Sequence, residues 1–165
     1  MRILIYSSLI FAFLSVFGST KEWTKFRGPS GDGHVTVKSI PLKWSETENV
    51  KWKVSVPGKG WSSPVISADK IYLTSAVAEG DNQDAAEVHR ELRVICFSAN
   101  NGEKLWDTKV FDQKPLKRPI HHKNSHASPT AIVDNDRIYV RFGHMGSACL
   151  NLQGEIIWKN NELKY

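Results

Sequence analysis

The sequence predicts an all-β protein in which one four-stranded antiparallel unit occurs twice. The chief observation is an internal repeat that begins at Ser63 and again at Ser128. Each copy reads Ser-Pro, then Lys or Arg with Ile-Tyr, then an apolar run around a Cys, and finally Gly-Glu-x-Leu/Ile-Trp. A second observation is that Trp recurs in phase at Trp52, Trp106 and Trp158, spaced by 54 and 52 residues. A repeat of this period indicates the architecture before any residue is given a role.

Within each copy the apolar runs are short, rich in β-branched and aromatic residues, and separated by polar turn clusters, as in antiparallel strands. We therefore predict strands at about 63–68, 70–76, 92–98 and 104–110 in the first copy. The corresponding strands of the second copy are 128–133, 137–142, 147–152 and 155–160. Gly102 and Gly154 precede the two last strands, where glycine can adopt the positive φ that a tight turn needs.

Four strands per unit at a period of about fifty residues are typical of a β-propeller blade. The expected blades are about 63–110 and 128–160, and the segment 49–56, which contains Trp52, is predicted to be the lone closing strand of another blade. A closed propeller has about four or more blades, so two blades and one closing strand leave the ring incomplete. We therefore expect residues 19–165 to be a partial propeller, the N-terminal part of a longer protein whose remaining blades are missing from this chain.

The first 18 residues differ from the rest, because Arg2 is their only charge and an apolar run extends from Ile3 to Phe17. A run this short, ending in small or aliphatic residues, predicts a signal peptide at 1–18 rather than a spanning helix. No Cys follows the expected cleavage site after Gly18, which disfavours a lipid anchor. We expect an exported mature chain, periplasmic or secreted, with no membrane span after signal cleavage.

The formal net charge is +5, and much of the excess lies between Lys114 and Lys123. A basic patch can bind nucleic acid or an anionic surface, but nucleic acid is a poor partner for an exported protein. The sequence therefore favours solvated loop charges, no nucleic-acid partner, and an unidentified small-molecule or protein ligand.

Cys96 and Cys149 occupy the same position in the two repeats. Exported proteins can form disulfides. Equivalent strand positions in neighbouring blades are nevertheless expected to lie further apart than the Cα distance of about 7 Å that a disulfide allows. We predict that both are small, buried apolar residues.

Four segments carry strings with a specific likeness. They are Trp23-Thr24-Lys25-Phe26-Arg27-Gly28-Pro29-Ser30-Gly31-Asp32-Gly33, Pro41-Leu42-Lys43-Trp44-Ser45-Glu46-Thr47-Glu48-Asn49-Val50-Lys51-Trp52, Gly60-Trp61-Ser62-Ser63-Pro64-Val65 and Lys123-Asn124-Ser125-His126-Ala127-Ser128-Pro129-Thr130. Together they resemble exported propellers of the pyrroloquinoline-quinone-like (PQQ-like) repeat family over nearly all of the mature chain. The resemblance implies a quinoprotein-type propeller.

The same resemblance implies two functions. Quinoprotein dehydrogenases of this fold hold PQQ and Ca²⁺ on the propeller axis with a carboxylate as base, and many have an adjacent Cys-Cys pair. This sequence has no Cys-Cys, and its carboxylates cannot be placed on that ligand set, most of which would lie in later blades, so no cofactor is evident. We expect an exported binding or scaffold module. The alternative is the N-terminal part of a PQQ- and Ca²⁺-dependent dehydrogenase of alcohols or sugars. A third possibility, an envelope-assembly scaffold, is disfavoured by the missing lipid-anchor Cys.

Loops that enter the first strand of each blade are expected to lie at the mouth of the central channel, where propeller ligands usually bind. These loops contain Lys59 and Trp61 in one blade and Lys123 in the next. Trp61 can stack on a planar ligand, and Lys59 or Lys123 can meet its carboxylates, which makes the three residues candidates for cofactor binding. The alternative is that Trp61 packs between blades.

His121, His122 and His126 form the densest group of potential metal ligands. Imidazoles suit Zn²⁺ or Cu²⁺, but a site needs three or four converging ligands, and this spacing in an irregular loop does not ensure convergence. Surface or channel histidines are the favoured interpretation. Asp32, between two glycines, predicts a tight turn rather than a Ca²⁺ loop, because Ca²⁺ needs several oxygen ligands. No catalytic residue is predicted, since no Ser-His-Asp or Cys-His set stands out.

Overall fold

The chain is all-β. The computed structural model describes residues 22–37, 39–80, 87–116, 120–121 and 123–162, and within them it contains eight strands and one 3-10 turn at Gly143–Met145. The predicted signal peptide at 1–18 and His122 lie outside the described residues. No helix in the described part of the chain is long and apolar enough to cross a bilayer.

Two antiparallel four-stranded sheets account for the eight strands, and each sheet follows chain order. The first sheet contains β1 (Val65–Ser67), β2 (Lys70–Ala78), β3 (Arg90–Ser98) and β4 (Lys104–Gln113). The second contains β5 (Ile132–Asp134), β6 (Arg137–Arg141), β7 (Ser147–Asn151) and β8 (Ile156–Asn160). The two predicted four-stranded units and their strand order are therefore confirmed.

The first strand of each sheet is shorter than its predicted range. Pro64 lacks an N–H, and the Ser63 N–H donates to Thr130 Oγ1 at 3.0 Å instead of to β2. The N–H groups of Trp61 and Ser62 likewise donate to Ala127 O, at 3.1 and 3.2 Å. The residues before β1 thus use their hydrogen bonds to join the loop that leads into the second sheet.

The prediction of a strand at 49–56 is wrong, because these residues form no strand in the structure. Trp52 nevertheless packs against the β3–β4 turn, where a Cβ added to Gly102 would lie 2.6 Å from the ring. Its indole N–H donates to Ala99 O at 3.1 Å. A strand needs a hydrogen-bonded neighbour, and no strand of the described residues pairs with this segment.

Trp106, in the first sheet, makes the same kind of contact with a turn of the second sheet. A Cβ added to Gly154, in the β7–β8 turn, would lie 2.7 Å from its ring, and the Trp106 indole N–H donates to Leu152 O at 3.2 Å. The predicted place of Trp106, near the interface between the units, is therefore confirmed. Glycine is required at both turns because the indole ring occupies the space that a Cβ atom would need.

The two sheets pack face against face around one core. The covered face of the first sheet, here called its front face, carries the register-aligned residues Val65, Tyr72, Cys96 and Trp106. It packs against the opposite face of the second sheet, the back face, which is lined by the buried side chains of Val133, Ile138, Val140, Ala148 and Leu150. The sheets thus stack front to back.

Both cysteines are buried and unpaired, as predicted. Burial raises the pKa of the Cys96 thiol to about 12, and it also raises the pKa of the Cys149 thiol. A thiol of this kind is inert at neutral pH, because the thiolate is the reactive form.

An N-terminal segment ties the first strands of the two sheets together. Trp23 exchanges two backbone hydrogen bonds with Ile66, of 2.8 and 2.9 Å, and the Val133 N–H donates to Thr24 O at 2.8 Å. In the turn that follows, Asp32 Oδ1 accepts from Ser30 Oγ at 2.5 Å and from the His34 N–H at 2.9 Å. Asp32 therefore stabilises a turn, in agreement with the sequence.

Candidate functional site

Two loops meet at one end of the sheets. Residues 57–62 enter β1 and residues 123–131 enter β5, so both loops lie at the end where β2, β4 and β6 finish. The Trp61 N–H lies 3.1 Å from Ser125 Oγ and 3.1 Å from Ala127 O, and these contacts join the loops. Candidate residues 60 or more positions apart in sequence are therefore neighbours in the fold.

A cavity of about 460 Å³ opens beside the first of these loops, and Lys59 and Trp61 both line it. The Trp61 side chain is 57% exposed although its backbone is held on two sides. An exposed indole on a fixed backbone provides an aromatic surface at little entropic cost. The alternative from the sequence, in which Trp61 packs between units, stays a prediction.

Glycine on each side of Lys59 lets the loop lie flat against β2. A Cβ at Gly58 would lie 2.4 Å from Ala76 O, and one at Gly60 would lie 2.5 Å from Thr74 O. Lys59 and Ala76 exchange backbone hydrogen bonds of 2.9 and 2.8 Å. The close approach sets the position of Trp61, two residues further on.

Buried hydroxyl groups below the cavity are already hydrogen-bonded. Ser75 Oγ donates to Pro57 O at 2.5 Å, and Thr74 Oγ1 lies 3.3 Å from Pro129 O. These contacts hold the loops against β2. Trp61 and Lys59 are the two sequence-predicted candidates that line this cavity.

The structure does not place Lys123 with Trp61 and Lys59. Lys123 is exposed and does not line the Trp61 cavity. Its backbone N–H donates to His121 Nδ1 at 3.2 Å, so the His121 imidazole is turned back onto its own loop. The described residues contain no group of three or more His, Cys, Asp or Glu side chains that could hold a metal ion. A metal site that includes His122 stays a prediction.

His126 lines a different cavity, of about 310 Å³, together with Gln113 and His144. Burial, together with the charges of Arg90 and His144, lowers the pKa of His126 to about 4. The His126 imidazole is therefore neutral at pH 7. Sequence reasoning missed Gln113 and His144, because only the stacking of the sheets brings the end of β4 to the β6–β7 turn.

No protein-family model matches the chain, and no curated protein matches it either.

Proposed function

We propose that this protein is an exported β-propeller of the PQQ-like repeat type that acts as a binding or scaffold module. The proposal combines the repeat architecture with the exposed Trp61 and its cavity. The expected signal peptide at 1–18 supports export.

The front face of the second sheet carries residues equivalent to those on the covered front face of the first sheet, in the same register. This equivalence supports the propeller. Its register-aligned residues are Ile132, Tyr139, Cys149 and Trp158, the counterparts of Val65, Tyr72, Cys96 and Trp106. Tyr139 and Trp158 lie with ring centroids 6.4 Å apart, and Tyr72 and Trp106 lie 5.8 Å apart.

Exposure distinguishes the two faces. Val65 and Tyr72 are 0% exposed, whereas Ile132, Tyr139 and Trp158 are 48%, 39% and 44% exposed. An apolar patch of this kind marks an interaction surface. We propose that another sheet of the same type covers it, with a turn glycine beneath Trp158, as part of a closed ring.

The observation that carries the binding function is Trp61, an exposed aromatic side chain on a backbone held by both loops. Indole rings stack on planar ligands, and the Lys59 ammonium, on the same cavity, attracts negative charge. The ligand class that fits is a planar molecule with one or more carboxylates. Because PQQ belongs to this class, the same pairing also favours the alternative function as part of a PQQ- and Ca²⁺-dependent dehydrogenase.

A fluorescence titration with naphthalene-2,6-dicarboxylate, a planar dianion, tests the binding proposal. We expect saturable quenching that is lost in Trp61→Ala and weakened in Lys59→Gln. The matched control is Trp44→Ala, since Trp44 is 72% exposed and does not line the cavity. Quenching that survives Trp61→Ala, or no saturable quenching, would contradict the proposal.

A parallel titration with PQQ and Ca²⁺ distinguishes the two functions. A binding module shows no dye-linked oxidation of alcohols or sugars under these conditions. Saturable one-to-one PQQ binding that requires Trp61, together with such activity, would favour the dehydrogenase. The ring is tested by a structure of the protein from its native source, in which we expect Trp158 to be covered.

A further inference from the structure

We propose that Ser125 is a positioning residue for ligand binding in the Trp61 cavity. Its hydroxyl oxygen accepts a hydrogen bond from the Trp61 backbone N–H at 3.1 Å, although the two residues are 64 positions apart in sequence. Ser125 does not itself line this cavity, so it acts on a ligand only through Trp61. This role depends on the binding function proposed above, to which it adds the residue that fixes the stacking group.

The Trp61 backbone is held by the loop that enters β5. Its N–H lies 3.1 Å from Ser125 Oγ and 3.1 Å from Ala127 O. Ala127 O is also approached by the Ser62 N–H at 3.2 Å and by Thr74 Oγ1 at 3.4 Å. Since a carbonyl oxygen has two lone pairs, three donors compete for it. Ser125 Oγ therefore supplies an acceptor for Trp61 that the carbonyl alone does not.

Ser128 orients the Ser125 hydroxyl as an acceptor. Ser128 Oγ donates to Ser125 O at 3.0 Å and accepts from the Ser125 N–H at 2.8 Å. Because this uses the one hydroxyl proton of Ser128, Ser125 is the donor in the contact of 3.2 Å between the two hydroxyl oxygens. Both lone pairs of Ser125 Oγ then accept from N–H groups, those of Trp61 and, at 3.2 Å, of Ala127. The hydroxyl is thus fixed in the orientation that holds Trp61.

This hydroxyl is not common to the two repeats. Ser125 and Gly60 occupy the same position ahead of the pairs Ser128-Pro129 and Ser63-Pro64. A Cβ added to Gly60 would lie 2.5 Å from Thr74 O, so the first repeat has no room for a side chain there. A residue that the repeat needed for its own fold would be expected in both copies. The difference favours a role for Ser125 in the contact with Trp61.

A fixed Trp61 backbone favours binding, because a group that is ordered before the ligand arrives loses less entropy on association. The Trp61 side chain is 57% exposed, so contacts with the protein hold the ring only in part. Without the Ser125 hydroxyl, more of the ordering of Trp61 takes place when the ligand binds. We expect the affinity to fall about fivefold, as for one hydrogen bond.

Amide hydrogen exchange of the full-length chain, followed by NMR, tests the position of Trp61 without a ligand. We expect the Trp61 amide to be protected in the parent and to exchange about tenfold faster in Ser125→Ala. Ser125→Thr is expected to restore protection, since it keeps the hydroxyl and its methyl group borders the cavity of about 310 Å³. The matched control is Thr130→Val, which removes a different hydrogen bond between the loops, from the Ser63 N–H at 3.0 Å. It is expected to leave the Trp61 amide unchanged.

Titration with naphthalene-2,6-dicarboxylate tests the effect on binding. We expect the Kd to rise about fivefold in Ser125→Ala and to stay near the parent value in Ser125→Thr and Thr130→Val. An equal Kd in the parent and in Ser125→Ala would overturn the proposal, and so would an unprotected Trp61 amide in the parent or an equal effect of Thr130→Val.

The two measurements separate this role from the binding function itself. A parent protein that does not bind the dicarboxylate refutes the binding function, whereas an unchanged Trp61 amide in Ser125→Ala refutes the role of Ser125 whatever the parent binds. If Ser125→Ala does not fold, Ser125→Cys takes its place in both measurements, because a thiol is a weak acceptor of similar shape.

Discussion

Replacing Gly154 with alanine tests the stacking of Trp106 on the β7–β8 turn. Gly154 has φ +87°, and an added Cβ would lie 2.7 Å from Trp106 Cδ2 and 3.0 Å from Thr108 Oγ1. The backbone conformation costs alanine roughly 1–2 kcal/mol. Forcing the indole away adds about 1–3 kcal/mol, as for other overpacked sites. We therefore expect Gly154→Ala to lower the free energy of unfolding by about 2–5 kcal/mol.

Gly143→Ala is the matched control, because Gly143 lies in a turn between two strands of the same sheet, has φ +50°, and has nothing within 4 Å of an added Cβ. It isolates the backbone cost. Urea denaturation followed by far-UV circular dichroism measures both variants, and Trp106→Leu is combined with each. Gly154→Ala is expected to lower the free energy of unfolding more than Gly143→Ala does. This difference is expected to be smaller in the Trp106→Leu background, because residue 154 then no longer couples to an indole ring. An equal cost for the two glycine variants would refute the stacking argument.

The remaining predictions concern the exposed face, His126 and the cysteines. Trp158→Lys is expected to reduce self-association and the binding of a hydrophobic dye while leaving the melting temperature nearly unchanged, whereas Trp106→Lys unfolds the protein. The folded pKa of His126, about 4, lies below the ordinary 6.5. The unfolded chain therefore binds a proton more readily between these values, and stability present above pH 6.5 is lost as the pH falls. His126→Gln is expected to lose less stability over this window, measured by urea denaturation against the parent. Cys96 and Cys149 are expected to react with a thiol reagent only after denaturant is added, and reaction in native buffer would contradict their burial.

The eight strands were predictable because each contains a short apolar run, most of them rich in β-branched or aromatic residues, between strong turn signals. Gly102 and Gly154 each mark a tight turn, and both have positive φ in the structure. The segment 49–56 has the same local pattern but is not a strand, because strand formation depends on a partner that local sequence does not reveal. Trp52 donates its indole N–H to a carbonyl oxygen beside the β3–β4 turn, as expected for a Trp of a last strand, although its own segment is not a strand.

The candidate site was predictable only in part. Trp61 and Lys59 lie close together in sequence, and the structure places them on one cavity. Lys123 lies elsewhere, because its loop turns at His121. Gln113 and His144 gave no signal in the sequence, since a lone glutamine at a strand end and a lone histidine in a turn are common. Their apposition follows from the stacking of the sheets.

The front-to-back stacking of the sheets gives the chain a polarity. Trp52 already occupies the β3–β4 turn of the first sheet, as Trp106 occupies the β7–β8 turn of the second. Among the described residues, no sheet covers the face that bears Trp158, where Ile132, Tyr139 and Trp158 are exposed. An interface that joins two different faces is heterologous, so repeated addition produces a ring if the rotation closes and an open fibre if it does not. In the closed ring that we propose, the last sheet added therefore meets the segment around Trp52, and addition ends where the ring closes.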